Sequence, residues 1–274
     1  MGADTSALPV HEVYAVKYGE RPARRPEHFI GGDRHDVPMP MDYFVWAAVG
    51  PERTWVIDTG FSRADGEARG RTCLRTAAEG LALVGIDAAA VTDVILTHLH
   101  YDHVGGFDQF PAARLHVQDR EMAFATGRHM TRSALRHGFT AEQVGALVVE
   151  VYRDRVVFHD GDETLAPGLS VHLIGGHTAG LQCVRVHTAI GWIVLASDAA
   201  HYYDHLRTNR PFTTVVDVGA MLEGHDTVRR LADDPAWAVP GHDPAVLRRY
   251  PTAAPGLEGI AVRLDRIPVE DPGA

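Results

Sequence analysis

Thr92-Asp93-Val94-Ile95-Leu96-Thr97-His98-Leu99-His100-Tyr101-Asp102-His103-Val104-Gly105-Gly106 is the stretch on which the reading of this chain turns. Residues 92–97 form a short apolar run of the kind that makes a buried strand. Three imidazoles and a carboxylate then fall within six residues, at His98, His100, Asp102 and His103. If the extended direction persists, His98, His100 and Asp102 share one face, because alternate residues of a strand do. Leu99 and Tyr101 alternate with them, as a half-buried ligand strand requires. His103 follows at the turn, and Gly105-Gly106 permits a tight path. Imidazole nitrogen and carboxylate oxygen are donors that Zn²⁺ accepts. Four ligands this close cannot all reach one ion comfortably, so the spacing predicts two metal ions side by side.

Outward from this stretch the chain alternates between strand and helix patterns. Residues 43–49 and 54–57, divided by Gly50-Pro51, read as a hairpin that ends in the polar turn Asp58-Thr59-Gly60. Residues 19–42 hold Pro22, Pro26, Pro38, Pro40 and Gly31-Gly32, and read as one long loop covering the substrate. Residues 72–84 have helical spacing and place Cys73 in a helix, while Cys183 falls in a strand; both thiols are expected to be reduced and mostly buried. A strand is expected at 115–117. A helix is expected from Thr140, with Gln143 completing a capping box, to about Arg153. Short strands follow near 156–158, 170–174, 181–187 and 191–196, then a helix over 217–231 and a last strand at 237–239. Two sets of strands, each followed by helices, predict one layered α/β domain over residues 1–274.

The pattern HxHxDH resembles the metal motif of the metallo-β-lactamase superfamily. Four further segments carry the resemblance in the expected order: Val56-Ile57-Asp58-Thr59-Gly60, Gly176-His177-Thr178-Ala179-Gly180, Ser197-Asp198 and Pro240-Gly241-His242-Asp243. The resemblance implies a four-layer αββα sandwich. It implies that His98, His100 and His177 hold one zinc, that Asp102, His103 and His242 hold the other, and that Asp198 bridges them. Asp58 is expected to orient a ligand imidazole from behind, since ligand histidines donate their second N–H to such a group. The chain looks most like the N-acyl homoserine lactonase group, by its compact length, its HxHxDHxGG segment and Ser197-Asp198-Ala199. That group carries a tyrosine three residues after the bridging aspartate. Here the position is His201, followed by Tyr202 and Tyr203, so either His201 or Tyr202 is the candidate for holding the substrate carbonyl. Phe29, Ile30, Met39, Met41, Tyr43 and Phe44 are candidates for an apolar wall around an acyl chain, with Tyr43 and Phe44 better suited to packing on the sheet.

Composition narrows the partners. The chain has 274 residues, 45% of them hydrophobic, and a formal net charge of −10. This is ordinary globular composition without a basic footprint for nucleic acid or for an anionic membrane. Met1 to Pro9 lacks a basic stretch followed by an apolar run, so no signal peptide is expected and cytoplasmic residence is the default. The expected partner is a small-molecule substrate, and a homodimer is compatible with the sequence. The 17 histidines stand out, but only position distinguishes a ligand from a structural residue.

The chemistry expected of two zincs is hydrolysis. A shared water is acidified toward neutrality and gives a hydroxide, one metal polarises the carbonyl, and Asp102 or Asp198 passes the proton to the leaving group. Opening of a lactone or cleavage of a related ester is the first expectation. A glyoxalase-type thioesterase is the alternative; it needs a basic cluster for its carrier, for which Arg207, Arg210, Arg248 and Arg249 are the candidates. A phosphodiesterase is a further alternative that needs positive charge beside the metals. An iron oxidoreductase and a non-catalytic binding module complete the set, the latter opposed by the presence of both metal half-sites.

Overall fold

The computed structural model describes residues 8–269, so the expectation about a leader falls mostly outside the described residues. In chain order the strands are β1 (Glu12–Arg21), β2 (Met41–Val49), β3 (Thr54–Ile57), β4 (Thr72–Cys73), β5 (Asp93–Ile95), β6 (Arg114–Gln118), β7 (Val156–His159), β8 (Glu163–Ala166), β9 (Leu169–Leu173), β10 (Gln182–Thr188), β11 (Gly191–Ser197), β12 (Ala238–Pro240) and β13 (Ala261–Arg263). The helices are α1 (Arg63–Ala68), α2 (Ala77–Leu83), α3 (Tyr101–Val104), α4 (Asp119–Ala125), α5 (Ser133–Arg136), α6 (Ala141–Val151), α7 (Tyr203–Thr208), α8 (Val218–Leu231) and α9 (Ala245–Arg249). One sheet has the order β13-β1-β2-β3-β5-β6-β7, with β4 beside β1; the other has the order β12-β11-β10-β9-β8.

Strand β2 explains why two sheets stack. Its Phe44, Trp46 and Ala48 enter the core between the sheets, against Val171, Val184, Ile193, Leu195 and Val239 of the second sheet. Its Tyr43, Val45 and Ala47 enter the outer core, with Ala77 and Leu81 of α2, Phe124 of α4, and Val144 and Leu147 of α6. A period-2 strand that is apolar on both faces must be covered on both. On the far side of the second sheet, Cys183, Val194 and Ala196 pack against Leu206 of α7 and Val228 of α8. The layers are therefore α/β/β/α, as the sequence predicts.

Several local expectations are corrected. The loop is shorter than 19–42: Gly19, Glu20 and Arg21 continue β1 opposite Tyr43, Asp42 and Met41 of β2. The irregular segment is thus 22–40, and it contains a 3₁₀ turn at Arg25–His28. The 72–84 helix starts at Ala77, and Cys73 lies in β4, where pairing with β1 overrides helical spacing. Thr140 is the N-cap of α6 but makes no side-chain cap bond. Gln143 instead donates to Asp65 Oδ2 at 2.9 Å, and Thr140 accepts from Arg69 at 3.2 Å. Tertiary partners outcompeted the local box. A reciprocal capping box forms at Thr76 and Glu79 of α2. No helix among the described residues is long and apolar enough to cross a membrane.

Candidate metal centre

Strands β3, β5, β6 and β7 run parallel, as do β11 and β12. Asp58 follows β3, His98 follows β5, Asp198 follows β11, and His242 lies two residues past β12. Carboxyl ends of parallel strands open on one edge, where ligands of open α/β sheets gather. The ligand segment itself is not a strand, which corrects the shared-face expectation. Strand β5 stops at Ile95, His100 is the N-cap of α3, and Asp102 and His103 lie in the first turn of that helix. The loop-to-helix path brings all four side chains to one point.

Four donor sets are buried there with their atoms within 4.8 Å of one another: His98-His100-His177, His98-His103-Asp198, Asp102-His103-His242 and His177-Asp198-His201. His177 Nε2 lies 3.1 Å from His98 Nε2 and 2.9 Å from His100 Nδ1. Asp198 stands between the two halves. Its Oδ2 is 3.2 Å from His177 and 3.9 Å from His98, and its Oδ1 is 3.0 Å from His242 and 3.5 Å from His103. Asp102 Oδ2 is 3.8 Å from His103 and 3.9 Å from His242.

The second nitrogen of these rings is held from behind. His103 Nδ1 donates to Asp58 Oδ2 at 2.7 Å, His177 Nδ1 to the Thr214 carbonyl at 2.6 Å, and His242 Nδ1 to the Asp42 carbonyl at 3.0 Å. Asp58 also accepts from the Thr97 amide at 2.7 Å and the Thr97 hydroxyl at 2.8 Å. Such partners fix which nitrogen faces inward. Asp58 and Ser197 take positive φ values of 61° and 47°, unusual for residues with side chains. Both lie at strand ends, where Asp58 meets His103 and Ser197 is followed by Asp198. Gly241 is required beside them, because a Cβ there would stand 2.7 Å from Asp198 Oδ1.

Electrostatics separate the donors. Burial, reinforced by neighbouring imidazoles, pushes His98 and His100 well below the usual histidine range. Burial also lowers His177 and His201. Burial opposes the charge of His103 too, but the Asp58, Asp198 and Asp102 carboxylates outweigh it and raise that histidine well above the usual range. Burial works against charge on Asp198, and His242, His201 and His103 overcome it. Two buried atoms at the centre, His103 Nε2 and Asp198 Oδ1, have no hydrogen-bond partner. Imidazole lone pairs turned toward one another, orphaned atoms and a central carboxylate together fit a metal pair, because a cation satisfies every one of them.

His201 and Tyr202 diverge. His201 Nε2 donates to Asp198 Oδ2 at 3.0 Å, and its ring stacks on Phe212 at 3.5 Å. Tyr202 turns away, its hydroxyl 3.1 Å from His28 Nε2, 3.3 Å from the Met39 carbonyl and 3.1 Å from the Pro40 carbonyl. A cleft of about 130 Å³ opens over the donors; among its lining residues are Met41, Tyr43, Arg69, Arg71, His137 and Thr213. The expected apolar wall is mostly elsewhere. Phe44 is in the inter-sheet core, Phe29 is buried against His205, and Ile30 is 43% exposed. Met39 lines a larger cavity of about 760 Å³ beyond Tyr202, which contains none of the seven donors.

One functional residue escaped sequence reading. Glu121 of α4 is fully buried, and its two oxygens accept from the Leu99 amide at 2.9 Å and the Gly180 amide at 3.0 Å. It ties the His98–His100 loop to the His177 loop. The approach is so close that a Cβ on Gly180 would lie 2.1 Å from the Glu121 amide nitrogen. No local pattern around Glu121 carries that signal.

Comparison with known proteins agrees with this architecture. The family model for the metallo-beta-lactamase superfamily matches residues 39–242. The N-acyl homoserine lactonase AttM of Azorhizobium caulinodans is 30% identical over 170 residues, covering 59% of this chain and 61% of that protein. A Mycobacterium tuberculosis protein named as a probable metallo-hydrolase is 27% identical over 164 residues, covering 54% and 53%. The chain thus spans between about half and two thirds of the length of these curated relatives. Among solved structures, a quorum-quenching N-acyl homoserine lactone lactonase superposes with a TM-score of 0.70 at 19% identity, over 87% of this chain and 94% of that one. The dizinc quorum-quenching lactonase AidC gives 0.66 at 19% identity, over 86% and 89%. At that identity the structural likeness speaks for the fold, and the family model covers most of the chain. This chain belongs to the metallo-beta-lactamase superfamily.

Proposed function

We propose that this chain is a dinuclear zinc hydrolase that opens a lactone or cleaves a related carboxylic ester. One observation carries the reading: two complete donor sets face the two oxygens of a single buried carboxylate, Asp198. His98, His100 and His177 would hold one ion, Asp102, His103 and His242 the other, and Asp198 both. The metal pair would supply Lewis acidity, polarising a carbonyl and acidifying water toward neutral pH.

The chain's own groups do the rest. Asp58, Thr214 and Asp42 hold His103, His177 and His242 in the tautomer that turns Nε2 inward. Asp102 lines the cleft and is the carboxylate that moves a proton to the leaving alkoxide oxygen. His201 lines the cleft with its Nε2 on Asp198 Oδ2, a bond it would exchange for the substrate carbonyl; Tyr202 lies outside the cleft with its hydroxyl on His28 and the 39–40 backbone. The substrate is a small molecule acted on in the cytoplasm, and the reading is compatible with a homodimer.

The relatives named as lactonases support the ester class. The thioesterase alternative loses its basic cluster: Arg207, Arg248 and Arg249 line the larger cavity beyond Tyr202, and Arg210 pairs with Asp33 at 2.7 Å. The phosphodiesterase alternative keeps one supporting observation, the presence of Arg69 and Arg71 in the cleft.

The test combines metal analysis with a panel of lactones, esters, thioesters and phosphodiesters followed by proton release. Two metals per chain and ring opening are expected. Fewer than two in fully loaded protein, or turnover confined to phosphodiesters, overturns the reading. Within it, His201→Ala should lower kcat by ~10²–10³, the loss of a transition-state donor, while Tyr202→Phe stays near wild type. The reverse pattern would return the role to Tyr202.

A further inference from the structure

The cleft over the donors is small and of mixed lining, with charged groups beside Met41, Tyr43 and Phe212, where a long neutral acyl chain would call for a continuous apolar wall. Ligand pockets usually span roughly 300–1,000 Å³ with mainly apolar linings; this one is about 130 Å³. Arg69 and Arg71, both half-buried, help to line its mouth. Arg71 Nη1 donates to the Arg69 carbonyl at 2.6 Å, and its Nε to the Tyr101 hydroxyl at 3.3 Å. It also engages the Tyr43 hydroxyl. Arg69 lies over the Tyr101 ring at 4.2 Å and donates to the His137 carbonyl at 2.7 Å and to Thr140 Oγ1 at 3.2 Å.

Neither guanidinium is ion-paired to a carboxylate among the described residues. Their neighbour at the mouth, Arg21, is paired with Glu27 at 3.3 Å. Acidic residues outnumber basic ones by 36 to 26 in this chain, so counter-ions are not scarce. Two half-buried like charges, two residues apart and anchored by neutral acceptors, would gain further from an anion between them. Tyr101 sits between the metal ligands His100 and Asp102, so these cations are built onto the ligand segment itself. Guanidinium is the side chain suited to a carboxylate, which it meets with paired, charge-assisted bonds.

We infer that the substrate is a compact lactone or ester bearing an anionic group, a carboxylate remote from the reacting carbonyl, and that Arg71 and Arg69 hold that group and set specificity. The inference rests on the hydrolase reading for the reacting bond and on the arginines alone for the anion. It also accounts for the lost apolar wall: recognition is by charge, so acyl length has little to act on.

The test uses metal-loaded protein and a matched pair: a γ-lactone carrying a free carboxylate on its ring substituent, and the same lactone with that group as a primary amide. The two differ in charge and little in size. Wild type should prefer the carboxylate in kcat/KM by ~10–100-fold, the range for a hydrogen bond to a charged partner. Arg71→Gln should bring the ratio close to one, Arg69→Gln should reduce it, and Arg71→Lys should restore part of it. The preference should appear in KM more than in kcat, and should fade between 0.05 M and 0.5 M salt.

Binding of the corresponding inert cyclic ethers, carboxylate against amide, is measured by calorimetry on the same proteins, so the anion preference is read without turnover. A carboxylate preference that disappears in Arg71→Gln supports the inference even if no lactone is opened; in that case the hydrolase reading alone has failed. Equal binding of the two ethers by wild type overturns the inference. So does a preference unchanged in both Arg71→Gln and Arg69→Gln, which would place the carboxylate on the metals only.

Discussion

Strand β5 has histidine chemistry at both ends, and the two ends are opposites. Before its carboxyl end lies Asp93, whose Oδ1 accepts from His116 Nε2 at 3.1 Å; His116 Nδ1 meets His159 Nε2 at 3.0 Å, and His159 Nδ1 meets Glu163 at 2.6 Å. Arg114 and Arg53 close on Asp93 at 2.7 and 3.2 Å. Every ring nitrogen of that network has a partner. Beyond the other end, three imidazoles, those of His98, His100 and His177, turn nitrogens toward one another, and His103 Nε2 and Asp198 Oδ1 have no hydrogen-bond partner. Both groups are buried and rich in His and Asp. What separates a structural network from a candidate ligand site is satisfaction: the first is complete within the protein, and the second keeps buried donors that a bound cation would satisfy.

The sharpest way to break this comparison is to remove the central carboxylate of each. Asp198→Ala should abolish hydrolysis and lower metal content below two per chain, while the metal-free protein keeps its melting temperature or gains. Asp93→Ala should do the converse. Metal content stays at two, but stability falls by about 3 kcal/mol, the lower end for breaking a buried pair, because Arg53 and Arg114 remain half in water. If Asp93→Ala strips metal, or Asp198→Ala unfolds the metal-free chain, the division into network and site is wrong.

A smaller effect is expected from Asp58→Asn, since Asp58 acts through His103 and the Thr97 backbone. Metal affinity or activity should fall by ~10–100-fold, as for other groups that orient a ligand from behind. A loss seen in KM alone, with metal affinity unchanged, would instead mean that Asp58 touches substrate recognition.

The smallest effect concerns pH. Burial lowers His116, only partly offset by Asp93. A histidine whose folded pKa lies below its unfolded value of ~6.5 contributes stability that is complete above that pH and is lost as pH falls. Urea midpoints of metal-free protein should therefore drop between pH 7.5 and 5, and His116→Gln should flatten that slope. Identical slopes in the two proteins would show that the network carries no such linkage.

Legibility followed locality. The donors from His98 to His103 are readable because four lie in six residues, and His177, Asp198 and His242 only through the order of motifs that resemble the family's. Strand β1 was partly hidden in a segment read as loop, since Pro22 and Pro26 lie beside it and its pairing with β2 is invisible locally. The Thr140-Gln143 box looked complete in sequence and failed in space, because Asp65 and Arg69 were nearer partners. Glu121 had no signal at all, being joined to Leu99 and Gly180 across 22 and 59 residues.

The sequence by itself determined the layered α/β class, the cluster of donors from His98 to His103 and the likeness to a metallo-beta-lactamase that points to His177, Asp198 and His242, because period, spacing and order are properties of one dimension. Only the tertiary structure decided that His201 faces Asp198 while Tyr202 turns to His28, and that Arg69 and Arg71 stand at the mouth with neutral hydrogen-bond partners and no carboxylate. The physical reason is that these are statements about which charges and hydrogen bonds are satisfied. Satisfaction depends on partners brought from other strands and loops, and a side chain carries no local record of who those partners are.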